Sequence, residues 1–170
     1  MTKTVRSITD IPQAALDAFS CGEEKLDSYV QKHAKKNHKS GVGKTFVLVN
    51  EDGLVLGFYT ISMASIEFND LPEKLKKGMP RYPVPTARIG RLAIDLKYQG
   101  KKLGGALLLD ALKRIHEACQ SVAAFAVIVD AKNDKAKAFY SHYEFESYAD
   151  DPLALFLPMS TINSLFETAS

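Results

Sequence analysis

The run from Gly90 to Leu112, GRLAIDLKYQGKKLGGALLLDAL, constrains the fold more than any other stretch of the chain. An apolar strand ends at Asp95 and passes through a glycine-rich turn directly into an amphipathic helix. The helix sets Leu103, Leu107 and Ala111 beside Leu108, Leu112 and Ile115 on one apolar stripe. This order points the unpaired N–H groups of the helix's first turn, and the positive end of its dipole, at whatever lies beyond the turn. An anion is favoured there. Gly100, Gly104 and Gly105 allow close backbone approach, and Lys97, Lys101 and Lys102 add positive charge. A P-loop requires Gly-Lys followed by Ser or Thr, where this chain has Gly104-Gly105-Ala106. A dinucleotide site wants its glycines early, in a repeated βαβ unit. The pyrophosphate of coenzyme A remains.

The flanking pattern predicts an α/β (α+β) chain with a central mixed twisted sheet and helices on both faces. Asp10 is expected to cap a short helix in IPQAALDAF, and a second helix is expected over 23–37. TFVLVN and LVLGFYTISMASIEF read as strands joined by a hairpin at Asp52-Gly53. A short helix over 71–77 precedes PRYPVP, whose Pro80, Pro83 and Pro85 are expected to lie outside any central strand. Strands over 86–94, 123–131 and 153–157 (the last stopped by Pro158) alternate with helices over 103–115, 134–143 and around Ile162, Leu165 and Phe166. With 170 residues, 46% of them hydrophobic, residues 1–170 are expected to form one domain.

Net charge is only +2, but it is unevenly spread. KHAKKNHKSGVGK, from Lys32 to Lys44, holds five lysines, two histidines and no acid. Lys74, Lys76, Lys77 and Arg81 form a second cluster with Glu73, and Arg88 and Arg91 precede the glycine turn. The last thirty residues are acidic. One basic face and a polyanionic partner are therefore expected, a merely solvated helix face being the other reading. No apolar run of about 18 residues and no secretory leader are found, so a cytoplasmic protein with no membrane role is expected. Cys21 and Cys119 fit neither a disulfide framework nor a zinc site, and no metal is expected.

Gln99, Gly100, Lys101, Lys102, Leu103 and Gly104 occupy the six places of Q/R-x-x-G-x-G/A, so the segment resembles the acyl-CoA signature of the GCN5-related N-acetyltransferases (GNAT). The resemblance implies that Leu92, Ala93 and Ile94 form the splayed strand whose backbone pairs with pantetheine. It also places Gly105 against the phosphates. Downstream, NDKAKAFYSHYEF resembles the family's N-x-x-A-x-x-F-Y-x-x-x-G-F, with Asn133, Ala136, Phe139, Tyr140 and Phe145 in place. Lys102 and Glu144 stand where the family commonly has glycine. FSCGEEKLDSY, KKNHKSGVGKTFV, GFYT, PVP and GRLAID are similar to hallmarks of the acetyltransferase toxins of bacterial toxin–antitoxin pairs.

That resemblance implies an acetyl-CoA-dependent enzyme that acetylates the amino acid's amine on charged tRNA and so blocks translation. It further implies a ribbon-helix-helix antitoxin partner and contact with operator DNA only through their complex. Tyr140 is the implied acid that protonates the departing thiolate, with Asn133 and Phe139 beside the cofactor. Asn133 reads equally well as a helix N-cap. An N–H near Ile94 is a candidate to bind the oxyanion. Candidate tRNA contacts are Lys32, Lys35, Lys36, Lys39, Lys44, Lys76, Lys77, Arg81, Arg88 and Arg91, of which Arg88 and Arg91 are also candidates for pairing with core carboxylates. His33 and His38 lie in the basic run, either as phosphate contacts when protonated or as plain surface residues. Other readings are acetylation of protein N-termini or small amines, and a catalytically weak CoA-binding interaction module. A homodimer paired through the late strand or the Pro-rich loop is a further expectation.

Overall fold

The computed structural model describes residues 2–148 and 150–167. Seven strands form one mixed sheet in the order β1-β2-β3-β4-β5-β7-β6. They are β1 (Lys3–Ser7), β2 (Lys44–Asn50), β3 (Val55–Ile66), β4 (Val84–Ile94), β5 (Ala126–Asp130), β6 (Glu146–Tyr148) and β7 (Asp151–Pro158). The helices are α1 (Gln13–Asp17), α2 (Glu24–Ser28), α3 (Ala34–Ser40), α4 (Glu73–Lys76), α5 (Leu103–Ala118), α6 (Asp134–His142) and α7 (Met159–Glu167). A π-turn, Tyr29–His33, links α2 to α3. The chain divides into two compact units, residues 1–62 with 89–112 and residues 63–88 with 113–170.

In the first unit β1 and β2 run antiparallel from Lys3↔Asn50 to Ser7↔Phe46, and β2 pairs antiparallel with β3 from Lys44↔Ile61. The expected hairpin forms at Asp52-Gly53, where Asn50 Oδ1 accepts from the N–H groups of both Asp52 and Leu54 at 3.0 Å. Ile8, Leu16, Phe19, Val30, Val47 and Phe58 build the core beneath it. In the second unit β5 and β7 pair antiparallel from Ala126↔Pro158 to Asp130↔Ala154, and β6 adds to β7. Ile66, Val84, Ile128 and Phe156 are central to its core.

Two expectations are corrected. Asp10 does not cap α1: it ends a 3₁₀ turn, Ile8–Asp10, and the N-cap is Pro12, which has no side-chain acceptor to offer. Pro85 lies within β4 rather than outside it. Its carbonyl still accepts from Phe125 N–H at 2.8 Å, so the ring removes only a donor that this position does without. Strands β1 and β6 carry no alternating apolar pattern and were not legible as strands.

Candidate active site

The glycine turn lies in the first unit. Asp95 is buried and ends β4 by capping a 3₁₀ turn, Leu96–Tyr98, its Oδ1 accepting from Lys97 N–H at 3.0 Å. Gly100 follows at φ +79°, where a Cβ would meet no atom but the backbone conformation itself favours glycine. Lys102 precedes α5 at φ +64°, and its carbonyl accepts from Ala106 N–H at 3.4 Å. Lys102 stands where the family commonly has glycine, and its backbone keeps the left-handed geometry that such a glycine would adopt. The N–H groups of Leu103, Gly104 and Gly105 have no acceptor within the helix, as at any helix start. With sixteen aligned residues behind it, this turn fits a pyrophosphate. Lys101 lies 5.5 Å over the Tyr98 ring, which keeps one ammonium at the turn.

The cradle is braced from behind by the segment FSCGEEKLDSY. Gln99 does not extend toward a ligand: its amide donates to Ile94 O at 2.9 Å and to Cys21 O at 3.1 Å. Asp95 Oδ2 accepts from Ser20 N–H at 3.1 Å, and Leu96 N–H donates to Ser20 O at 2.9 Å. Asp27 in turn fixes that loop, accepting from Cys21 N–H at 2.8 Å and from Ser20 Oγ at 3.0 Å. Asp95 is therefore a cap, with both carboxylate oxygens accepting from backbone N–H groups. Asp27 escaped the sequence reading, although its motif was in view, because its partners lie on a loop rather than on its own helix. Asp27→Asn is expected to weaken acetyl-CoA binding about threefold to tenfold by loosening that loop, read by titration calorimetry.

The second unit carries the tyrosine. Helix α6 is closed at both ends, and the motif N-x-x-A-x-x-F-Y-x-x-x-G-F describes those closures. Asn133 is the N-cap, its Oδ1 accepting from Ala136 N–H at 2.9 Å. Its side chain is thus committed to the helix. At the other end Glu144 N–H donates to Ser141 O at 3.0 Å and Phe145 N–H to Tyr140 O at 3.2 Å, the two bonds of a Schellman motif. The apolar contact that accompanies such a motif is Phe145 against Tyr140, with ring centroids 5.5 Å apart. Tyr140 is also in contact with Phe139, at 5.1 Å. It is 8% exposed, and burial pushes its phenol up to about 12. Its hydroxyl has no hydrogen-bond partner among the described residues.

Glu144 occupies the glycine place of this cap at φ +72°. An L residue there costs about 1–2 kcal/mol, and glycine returns about 0.5–1 kcal/mol of that as unfolded-state entropy. Glu144→Gly is therefore expected to stabilise the protein by about 0.5–1 kcal/mol in urea unfolding, with an unchanged m-value.

The basic residues divide by unit. In the first, Lys32, Lys36 and Lys39 are exposed on the π-turn and α3, with Lys35 half-buried beside them. Lys44 donates to His38 O at 3.0 Å. His38 is not a phosphate contact: its Nδ1 accepts from Thr45 N–H at 3.0 Å, which needs the neutral ring, and burial followed by the nearby Lys44 lowers its pKa. Arg91 is not tied to a carboxylate; its guanidinium carbon lies over the Tyr29 ring, 3.5 Å from the centroid. In the second unit Lys76 pairs with Glu73 at 2.8 Å, and both Lys76 and Arg81 approach the Phe68 ring, at 5.8 and 5.4 Å. Lys77 is exposed, and the buried Nε of Arg88 has no partner among the described residues.

The first unit carries an anion-binding turn at the start of α5 and the second a doubly capped helix with a buried phenol, and each is a feature of acyl-CoA-using acyltransferases. The chain belongs to the acetyltransferase (GNAT) family, whose model matches residues 8–145. It is 42% identical over 148 residues to a tRNA-acetylating toxin of Mycobacterium tuberculosis, covering 87% of this chain and 88% of that one. Among solved structures it is similar to a tyrosine-to-phenylalanine variant of KacT (TM-score 0.89, 31% identity, 98% of this chain and 100% of that one). It is equally similar to AtaT complexed with acetyl-methionyl-tRNAfMet (TM-score 0.88, 31% identity, 97% and 99%). Other AtaT structures hold AcCoA or, with AtaR, bound DNA, at TM-scores of 0.83 and 0.77.

Proposed function

We propose that this chain is the toxin of a toxin–antitoxin pair and transfers an acetyl group from acetyl-CoA to the α-amine of the amino acid on charged tRNA. The observation that carries the substrate is the likeness, across most of the chain, to a tRNA-acetylating toxin. Residues 1–170 act in this reading as one acetyltransferase domain. Leu92, Ala93 and Ile94 offer backbone to pantetheine, and Gly100 to Gly105 hold the pyrophosphate, with Lys101 and Lys102 adding charge. Phe139 serves by packing on Tyr140, and Asn133 by starting the helix that bears both.

The chemistry asks for little general base. An α-amine, with a pKa near 8, is partly neutral at cellular pH, whereas a lysine near 10.4 is not. The neutral nitrogen attacks the thioester carbonyl, an N–H near Ile94 receives the oxyanion, and the C–S bond then breaks. The proton lost by nitrogen passes to the Tyr140 oxygen as Tyr140 gives its own proton to sulfur. The phenol is neutral before and after, so its raised pKa is no obstacle to this relay. Products are the N-acetylated aminoacyl-tRNA and free coenzyme A.

Phosphate contacts along the first basic run would hold the RNA without reading its bases. Lys35, Lys36 and Lys39 replaced together by Ala are expected to weaken tRNA binding and to make its log–log salt dependence shallower by about 2 to 3. An unchanged slope would leave those lysines merely solvated. Within the same reading a ribbon-helix-helix antitoxin binds the toxin, operator DNA is met through that complex, and the toxin works in the cytoplasm as a homodimer. Among the described residues no helix is long and apolar enough to cross a membrane. The deciding experiment incubates the protein and labelled acetyl-CoA with charged tRNA, deacylated tRNA and peptides in parallel. Label on charged tRNA alone is the expected result. Label on peptides would move the enzyme to protein N-termini, and no label anywhere would favour a CoA-binding module.

A further inference from the structure

Arg91 stands one residue before Leu92–Ala93–Ile94, with its guanidinium carbon 3.5 Å from the centre of the Tyr29 ring. This is far inside the distance of about 6 Å at which such contacts count. No carboxylate lies within salt-bridge reach of it among the described residues. The ring beneath is itself held: Tyr29 is buried at the start of the π-turn, and its hydroxyl accepts from Asn37 Nδ2 at 3.4 Å. A π-turn inside a helix often marks a functional position, and this one opens on the residue that carries the arginine.

Stacking occupies one face of a guanidinium and leaves its N–H donors, which lie in the plane, unspent. A planar fork so fixed matches two oxygens of one phosphate, whereas a lysine offers only a point charge. Exposed Lys32 and Lys36 on the same helical run add positive charge for a polyanion. We propose that Tyr29 is a positioning residue that holds Arg91 as a preset two-pronged receptor for a backbone phosphate of the RNA substrate. This assignment rests on the tRNA reading given above.

The test uses the full chain and measures Kd for tRNA, Kd for acetyl-CoA, and KM against kcat for charged tRNA. Tyr29→Leu keeps apolar bulk and removes the aromatic face; Tyr29→Phe keeps the face. The expected result is a tRNA Kd and a KM raised about tenfold in Tyr29→Leu, with the loss falling on KM rather than kcat, and recovery to within about twofold in Tyr29→Phe. Arg91→Lys, which leaves the core residue in place, is expected to lose a similar factor although the charge is kept. It decides the matter even if Tyr29→Leu does not fold. Unchanged tRNA affinity in Arg91→Lys overturns the proposal. A parallel loss of acetyl-CoA affinity also overturns it, since the fork would then grip the cofactor's phosphate. Should the wild-type protein acetylate charged tRNA while these variants match it, only the fork fails; should the wild type bind no RNA, the tRNA reading fails with it.

Discussion

Tyr140→Phe is expected to lower turnover about 10²- to 10⁴-fold while leaving acetyl-CoA affinity and folding stability nearly unchanged. The Tyr140 hydroxyl makes no hydrogen bond among the described residues. Removing it breaks no hydrogen bond there. The ring contacts with Phe139 and Phe145, and the cap that sets them, survive in phenylalanine. A loss confined to kcat therefore isolates the proton that has to reach sulfur. The pH profile gives a second check. Burial pushes the phenol to about 12, so no fall in rate from Tyr140 ionisation is expected below about pH 11. The acid limb should follow the attacking amine, near pH 8 for an α-amine. Normal turnover in the phenylalanine variant would remove Tyr140 from the mechanism, and an acid limb near 10 would point to a lysine-like acceptor.

What the sequence disclosed divides along the line between local and distant contacts. The glycine turn and helix α6 were legible because their geometry is written in consecutive residues: Asn133 to Ala136 is a cap within one turn, and Tyr140 to Phe145 closes the other end. Glu144 put the turn in doubt because the family commonly has glycine there, yet its backbone keeps the positive φ. The motifs of the first unit were visible as motifs, but not for what they do. Tyr29 and Arg91, or Gln99 and Cys21, are far apart in the chain, and no periodicity links them. Strand β1, KTVRS, has charged or polar residues at every place but Val5 and pairs with β2 through backbone, so its side chains carry no signal. Lys102 was unreadable for a different reason. Its identity gives no sign of the left-handed backbone, which an L residue adopts only where the fold requires that turn.

Gly57→Ala is expected to destabilise the protein by about 1–3 kcal/mol and to weaken acetyl-CoA binding along with it. Gly57 opens GFYT on β3, and a Cβ there would fall 2.7 Å from the carbonyl oxygen of Ala93 and 2.7 Å from Ile94 Cδ1, with Leu107 Cδ2 at 3.3 Å. The first of these is backbone, which cannot rotate away as a side-chain tip can. Relief must come from moving Ala93 and Ile94, and these belong to the segment assigned to pantetheine. Leu107 lies on α5 behind the glycine turn, so the same methyl presses on the helix that carries the phosphate cradle. One substitution thus strains both segments proposed to hold acetyl-CoA. Gly90→Ala is the matched control, since a Cβ there meets nothing within 4 Å and its φ is not positive. It should be neutral or stabilise by up to about 1 kcal/mol through the unfolded state. Measured by thermal unfolding with and without acetyl-CoA, Gly57→Ala should melt lower and gain less from the ligand than the wild type, while Gly90→Ala should track it. If both alanine variants behave alike, the close approach at Gly57 does not govern the shape of the cofactor strand, and the pairing of GFYT with GRLAID is a matter of packing alone.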